Sequence, residues 1–163
     1  MNFTDKVSVF ADSKSVSQLG RYRHHLVYTT LEHSIHVTKT SYALAKALRV
    51  KVDEDAMLRG AMLHDFFLYE RAAEGISPAE HFAVHPEIAV EKASQYYALT
   101  EKERNIILSH MWPINRAVLP QCSEAWLVSI ADKLCTTWES SIGLAAAALG
   151  VRKEQRPTAG RTF

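Results

Sequence analysis

The sequence predicts an all-α protein, and three observations carry that reading. Alanine is abundant while glycine is sparse, six in 163 residues. No segment alternates apolar and polar residues between turn signals, as a half-buried strand would. Apolar residues recur instead at i, i+3 or i+4 and i+7, the spacing of one helix face.

A chain of 163 residues, 47% hydrophobic, is one domain able to bury roughly two thirds of its unfolded surface without staples. The first 20 residues predict one or two short helices ending near Gly20, and residues 1–29 read as a helical extension of the main domain. A long helix follows over 30–49, with Glu32, Lys39 and Lys46 on the wet side and His33, Val37, Leu44 and Leu48 facing inward. Asp53 caps a second helix expected to run to about Glu70, apolar nearly all round from Ala56 to Leu68. Residues 71–85 connect, with a helical turn at Ser77-Pro78. Pro86 reads as the first position of the next helix, which puts His85 at its cap and the end near Leu99. Thr100 and Glu103 form a capping box for a helix over 101–111, stopped by Pro113. Ser123 caps a long final helix whose main core stripe is Leu127, Ile130, Leu134 and Trp138, with Asp132 on the neighbouring apolar stripe. The main domain is expected over 30–150, and the charged, Pro- and Gly-containing tail over 151–163 is expected to be poorly ordered.

Charge and targeting signals narrow the function classes. Lys plus Arg is 19 against 18 acidic residues with no basic stripe, which argues against tracking a DNA or RNA groove while leaving room for a pocket holding one phosphate. Cys122 and Cys135 form no CxxC and no disulfide framework, and read as reduced thiols. The N-terminus lacks a signal-peptide pattern and no apolar run reaches about 18 residues, so a cytoplasmic protein with no membrane partner is expected. A homodimer is compatible with the sequence.

The most informative residues are a set of isolated histidines and aspartates: His33, the doublet His64-Asp65, His85, His110 and Asp132. Each lies in a segment patterned for core, about one helix and one loop from the next. Burying an unpaired carboxylate costs several kcal/mol, so something cationic must compensate. Histidine and aspartate together are the ligand chemistry of a divalent transition metal. Singly, each has a plainer reading as a hydrogen-bonded core histidine, a cap or an arginine partner; the weight rests on the set. No HExxH, Cys-rich knuckle or Glu-x-x-His pair competes with it. His24 and His25, following Arg21 and Arg23, read as a basic surface turn; His36 lies toward the lysines, and His81 is not expected to ligate. Trp112-Pro113 and Trp126 read as packing.

The order His…His-Asp…His…His…Asp, with the doublet in AMLHDF and the last aspartate in SIADKL, resembles the HD-domain metal-dependent phosphohydrolases. LEHSIHV is similar to that family's first-histidine segment and HPEIAVEKA to its third. The resemblance covers about residues 30 to 140 and implies a helical bundle with the metal site between its central helices. It also implies that His33, His64, Asp65 and Asp132 hold one metal, and that His85 and His110 bring in a second, with Asp65 bridging. Iron or manganese come first, with zinc, nickel, cobalt or magnesium as alternatives. The implied activity is hydrolysis of a phosphate ester or anhydride of a small nucleotide-like substrate by a metal-bound hydroxide, with Asp65 and His64 as catalytic residues. Many relatives carry a lysine shortly after the doublet; here Phe66, Phe67, Leu68 and Tyr69 stand instead, and the Gly-Tyr-Pro signature of the cyclic di-GMP phosphodiesterases is missing. Arg21, Arg23 and Lys133 are the candidates for phosphate recognition in its place, although Lys133 points about 100° away from Asp132 on a helix. The alternatives are a regulatory domain that binds metal or nucleotide without turnover and, further off, a binuclear iron oxygenase.

Overall fold

The computed structural model describes residues 1–24, 27–68 and 77–149. Among them the chain is helical throughout: α1 (Phe3–Ala11), a 3₁₀ turn (Ser17–Arg21), α2 (Thr30–Ala47), α3 (Glu54–Leu63), α4 (Pro78–Ser94), α5 (Glu101–Ser109) and α6 (Ser123–Ala148). The only extended pairing among the described residues is one isolated bridge, Arg23 with Thr29.

Local chemistry sets most of the starts. Thr29 with Glu32, Ser77 with Glu80 and Thr100 with Glu103 form reciprocal capping boxes at α2, α4 and α5, and the Asp53 side chain accepts from the Ala56 amide at α3. The α4 box corrects one expectation. With Ser77 as cap and Pro78 in the first turn, the helix begins before His85, and Pro86 lies inside it. A proline there cannot donate to the carbonyl four residues back. The Asn115 side-chain amide reaches that carbonyl, Phe82 O (3.4 Å), and Ala83 O beside it (3.0 Å). His85 is therefore a mid-helix residue. α3 is also shorter than expected, ending at Leu63. At α6 the cap position belongs to Cys122, which makes no side-chain capping bond.

α2 and α6 form the central pair, with α3 and α5 packed across them and α4 against α5. Their shared core is Val37, Met57, Met62, Leu63, Phe66, Ile106, Ile107, Val128 and Ala131, and α1 closes one end with Phe3 stacked on Tyr42. The expected α6 core stripe is overturned. Leu127 is buried, but Ile130, Leu134 and Trp138 are 48%, 52% and 66% exposed. The buried stripe is its neighbour: Ala125, Val128, Ala131, Asp132, Cys135 and Glu139. Polar residues needed at the centre turn α6 that way round. No helix among the described residues is long and apolar enough to cross a membrane, and the tail from Val151 lies outside the described residues.

Two features of the bundle predict measurable costs. A Cβ on Gly60 would lie 2.7 Å from Ile106 Cγ2, because α3 and α5 meet there. Gly60→Ala is expected to lower unfolding free energy by about 1–3 kcal/mol in urea titrations, overpacking outweighing its helix propensity. Glu124 is buried and accepts from the Asp53 amide (2.7 Å) and Lys102 Nζ (3.2 Å), tying the α3 and α6 starts together. Burial pushes its carboxyl up, yet the Asp53 amide and the other donors bring it below the ordinary value of 4.5. A carboxylate depressed on folding stabilises above its unfolded pKa and stops doing so as pH falls through the folded one. Glu124→Gln should therefore cost about 1–2 kcal/mol at neutral pH, a deficit that narrows in acid below pH 4.5.

Candidate metal centre

The doublet is placed by the way α3 stops. His64 Nδ1 lies 2.7 Å from the Ala61 carbonyl, which only accepts, so Nδ1 carries the hydrogen. The ring thus takes the carbonyl that the Asp65 amide would take in a continuing helix. The Phe66 amide returns to Leu63 O (3.1 Å), and Leu68 takes a left-handed φ of 55°. α5 ends by the same device. His110 Nδ1 donates to Ile107 O (2.6 Å), and the Trp112 amide returns to Ser109 O (2.9 Å). Within α4, His85 Nδ1 donates to His81 O (2.9 Å). All three rings are buried, and with Nδ1 donating, Nε2 is the atom each ring turns toward the centre.

Asp65 divides these rings into two sets. Its Oδ1 faces His85 Nε2 (3.4 Å) and His110 Nε2 (3.6 Å). Its Oδ2 faces His64 Nε2 (3.4 Å) and His33 Nε2 (3.9 Å). Asp132 closes the second set from α6, with Oδ1 3.2 Å from His33 Nε2 and 3.9 Å from His64 Nε2. The bundle thus brings all six expected residues together. His33, His64 and Asp132 offer ligand atoms within 4.8 Å of one another, and so do His64, Asp65 and His110.

The donor set fits a divalent cation on two observations. His64 Nε2 is buried with no hydrogen-bond partner. His85 Nε2 and His110 Nε2 are 2.8 Å apart, although both Nδ1 atoms already hold the hydrogens, so two lone pairs face each other unless a proton or a metal lies between them. The electrostatics agree. Burial pulls His33 down, but Asp132 and Glu139 overcome it and hold the ring at about 10. Burial pushes Asp65 and Asp132 up, and the surrounding histidines bring both well below the ordinary range. His110 falls, through burial first and then His64 and His85. Burial pulls His64 down as well, but Asp65 and Asp132 outweigh it and hold the ring above its ordinary value, so the buried carboxylates draw positive charge toward them.

Three residues have larger parts here than the sequence suggested. Glu139 is fully buried and accepts from His33 Nδ1 (2.9 Å) and His36 Nδ1 (2.7 Å). It lies two turns after Asp132 on the same face of α6, the one sequence signal that it shares the site. His36 braces this carboxylate. His24 departs from its surface reading: Nε2 is 3.0 Å from Asp65 Oδ2, and its ring stacks on His33 with centroids 3.7 Å apart. Backbone pairing puts it there, since the His24 amide bonds Tyr28 O (3.1 Å) and the Thr30 amide bonds Tyr22 O (2.9 Å). A loop fixed by backbone bonds leaves no periodic trace. His25 lies outside the described residues.

The substrate candidates divide. Lys133 curls back despite its offset: Nζ is 3.3 Å from Asp132 Oδ2 and also donates to His110 O and Ser129 Oγ. Arg21 is exposed, on a surface cavity of about 700 Å³ shared with Lys14, Gln18 and Tyr96, none of them in the His/Asp cluster. Arg23 is exposed beside His24. His81 stacks on His85 at 4.6 Å and joins none of the ligand groups. Trp112 packs edge-on to Trp126.

No curated protein and no solved structure matches the chain. A family match does exist, to the HD domain, over residues 30–137, from the start of α2 through Asp132 in α6. With more than half of its length in that match, the chain belongs to the HD-domain family.

Proposed function

We propose that this chain is a metal-dependent phosphohydrolase acting on a phosphate ester or anhydride of a small, nucleotide-like substrate. The observation that carries the reading is Asp65, whose two oxygens face separate histidine sets. In this reading His33, His64, Asp65 and Asp132 would hold one ion, and Asp65, His85 and His110 a second, with iron or manganese first. Such ions, when bound, supply activated water near pH 7 and positive charge against phosphoryl oxygens.

The chain's own residues do the rest. Three carbonyls and one carboxylate fix the Nδ1 sides of the ligand histidines, so their Nε2 atoms are aimed before any ligand arrives. Lys133 places an ammonium beside Asp132, positioned to steady a phosphoryl oxygen, and Arg21 and Arg23 are proposed to add recognition from the N-terminal segment. Directly after the doublet no cation stands: Phe66 packs edge-on to Tyr96 and Phe67 edge-on to His85. That observation, with Lys133 already bonded to His110 O, favours the second reading, a domain that binds metal or nucleotide without turnover.

Elemental mass spectrometry on protein purified anaerobically, without chelator or metal-affinity resin, tests the metal count first. Two equivalents per chain are expected, falling in His85→Ala and His110→Ala. Metal-loaded protein should then hydrolyse members of a nucleotide and phosphoester panel, and Asp65→Ala should abolish turnover with helical circular dichroism retained. A ligand bound for hours without product would favour the second reading. Glu139→Gln should weaken metal binding about 10- to 100-fold in chelator competition, because His33 loses its charged acceptor. A merely structural Glu139 would lower the melting temperature and leave that affinity unchanged.

A further inference from the structure

α6 is built inside out. Its charged residues are Glu124, Asp132, Lys133 and Glu139, and all four turn into the bundle, the acids buried and the lysine folded onto the His110 carbonyl. The outward face has no charged residue along the whole 26-residue helix. It carries Trp126, Ile130, Leu134, Trp138 and Leu144, between 37% and 66% exposed. Together they present apolar surface on the order of 500 Å², as large as the patches that mark interaction sites and more than half of the ~800 Å² that each partner contributes to a standard interface.

We propose that this face is the contact surface of a two-fold, antiparallel dimer of this chain, α6 against α6. Three features select a second copy. The face is complementary along its length: Trp126, Ile130 and Leu134 lie in the first half of the helix, while the second half sets Thr137, Ser141, Ala145 and Ala148 around Trp138 and Leu144. A two-fold axis crossing near the helix midpoint brings Trp126 and Ile130 of one copy over the small residues Ala145 and Ser141 of the other, the isologous match a closed dimer requires. Beside the stripe, Thr40, Leu134, Cys135 and Trp138 wall a cavity of about 320 Å³ at the α2–α6 seam, a hole for a partner's side chain. The remaining sequence after α6 is a poor cover, since residues 150–163 hold three arginines, a lysine and a glutamate against only Val151 and Phe163 as large apolar groups. Glu139 and His36 line the same cavity, so the dimer would cover the half-exposed His36 ring that braces the Glu139 carboxylate.

Sedimentation velocity on the full chain across the micromolar range tests the proposal. The expected species has twice the 18.3 kDa chain mass. Leu134→Glu, and separately Trp138→Lys, should shift it to monomer with unchanged helical circular dichroism. Both sites are half or more exposed, so neither change disturbs the core. Thr137→Cys, near the axis, should cross-link copies under mild oxidation, whereas Ser123→Cys, far from it, should not. A wild-type chain that stays monomeric overturns the proposal. In that case, vesicle binding through the two tryptophans would assign the face to a lipid surface, and dimerisation only after removal of residues 150–163 would assign it to the tail. A dimer that survives both charge substitutions overturns it equally.

Discussion

Three carboxylates, Asp65, Asp132 and Glu139, sit at the centre of a small helical bundle, nearly or fully removed from water. Isolated there, each would cost several kcal/mol or give up its charge. The helix ends sharpen the demand. α3 and α5 both stop at the site, and helix C-termini carry partial negative charge. Six buried or half-buried histidines from five different parts of the chain answer it, and their convergence decides where helices stop and which way α6 turns. The polar centre is therefore an organising constraint on the bundle.

The same residues show how local structure and site chemistry become one problem. A histidine side chain that takes the carbonyl of its own last turn ends the helix and fixes its tautomer in a single contact. His64 and His110 both do so, and the rings consequently present Nε2 to the interior. His85 uses the carbonyl of His81 without ending α4, which continues through Pro86 with help from Asn115. His33 differs, because its Nδ1 rests on Glu139, a charged acceptor that makes the opposite nitrogen a stronger donor to a cation.

Much of this was legible in the chain. Helical periodicity and the Thr100–Glu103 capping box locate most elements, and the isolated His/Asp set names the six residues that meet. What escaped has definite causes. Pro86 looks like a helix start because proline at a first turn and proline inside a helix are alike in sequence; Asn115, far away, decides between them. His24 is carried by a backbone bridge, and bridges between loops leave no side-chain period. Glu139 is one glutamate on a helix with polar neighbours, and nothing but its two-turn spacing from Asp132 distinguishes it from a solvated residue.

The inversion of α6 follows from the same constraint. Amphipathicity places the apolar stripe inward only when burial of hydrocarbon is the strongest demand on a helix. α6 must deliver Asp132 and Glu139 to the centre, about 100° per residue away from Ile130 and Leu134 on the helix surface. Small residues, Ala125, Val128, Ala131 and Cys135, flank those acids inside and let α2, α3 and α5 approach closely. The large apolar side chains are then left outside. A helix that supplies both the site and a hydrophobic face has only one circumference to divide between them, and here the site takes the inner half.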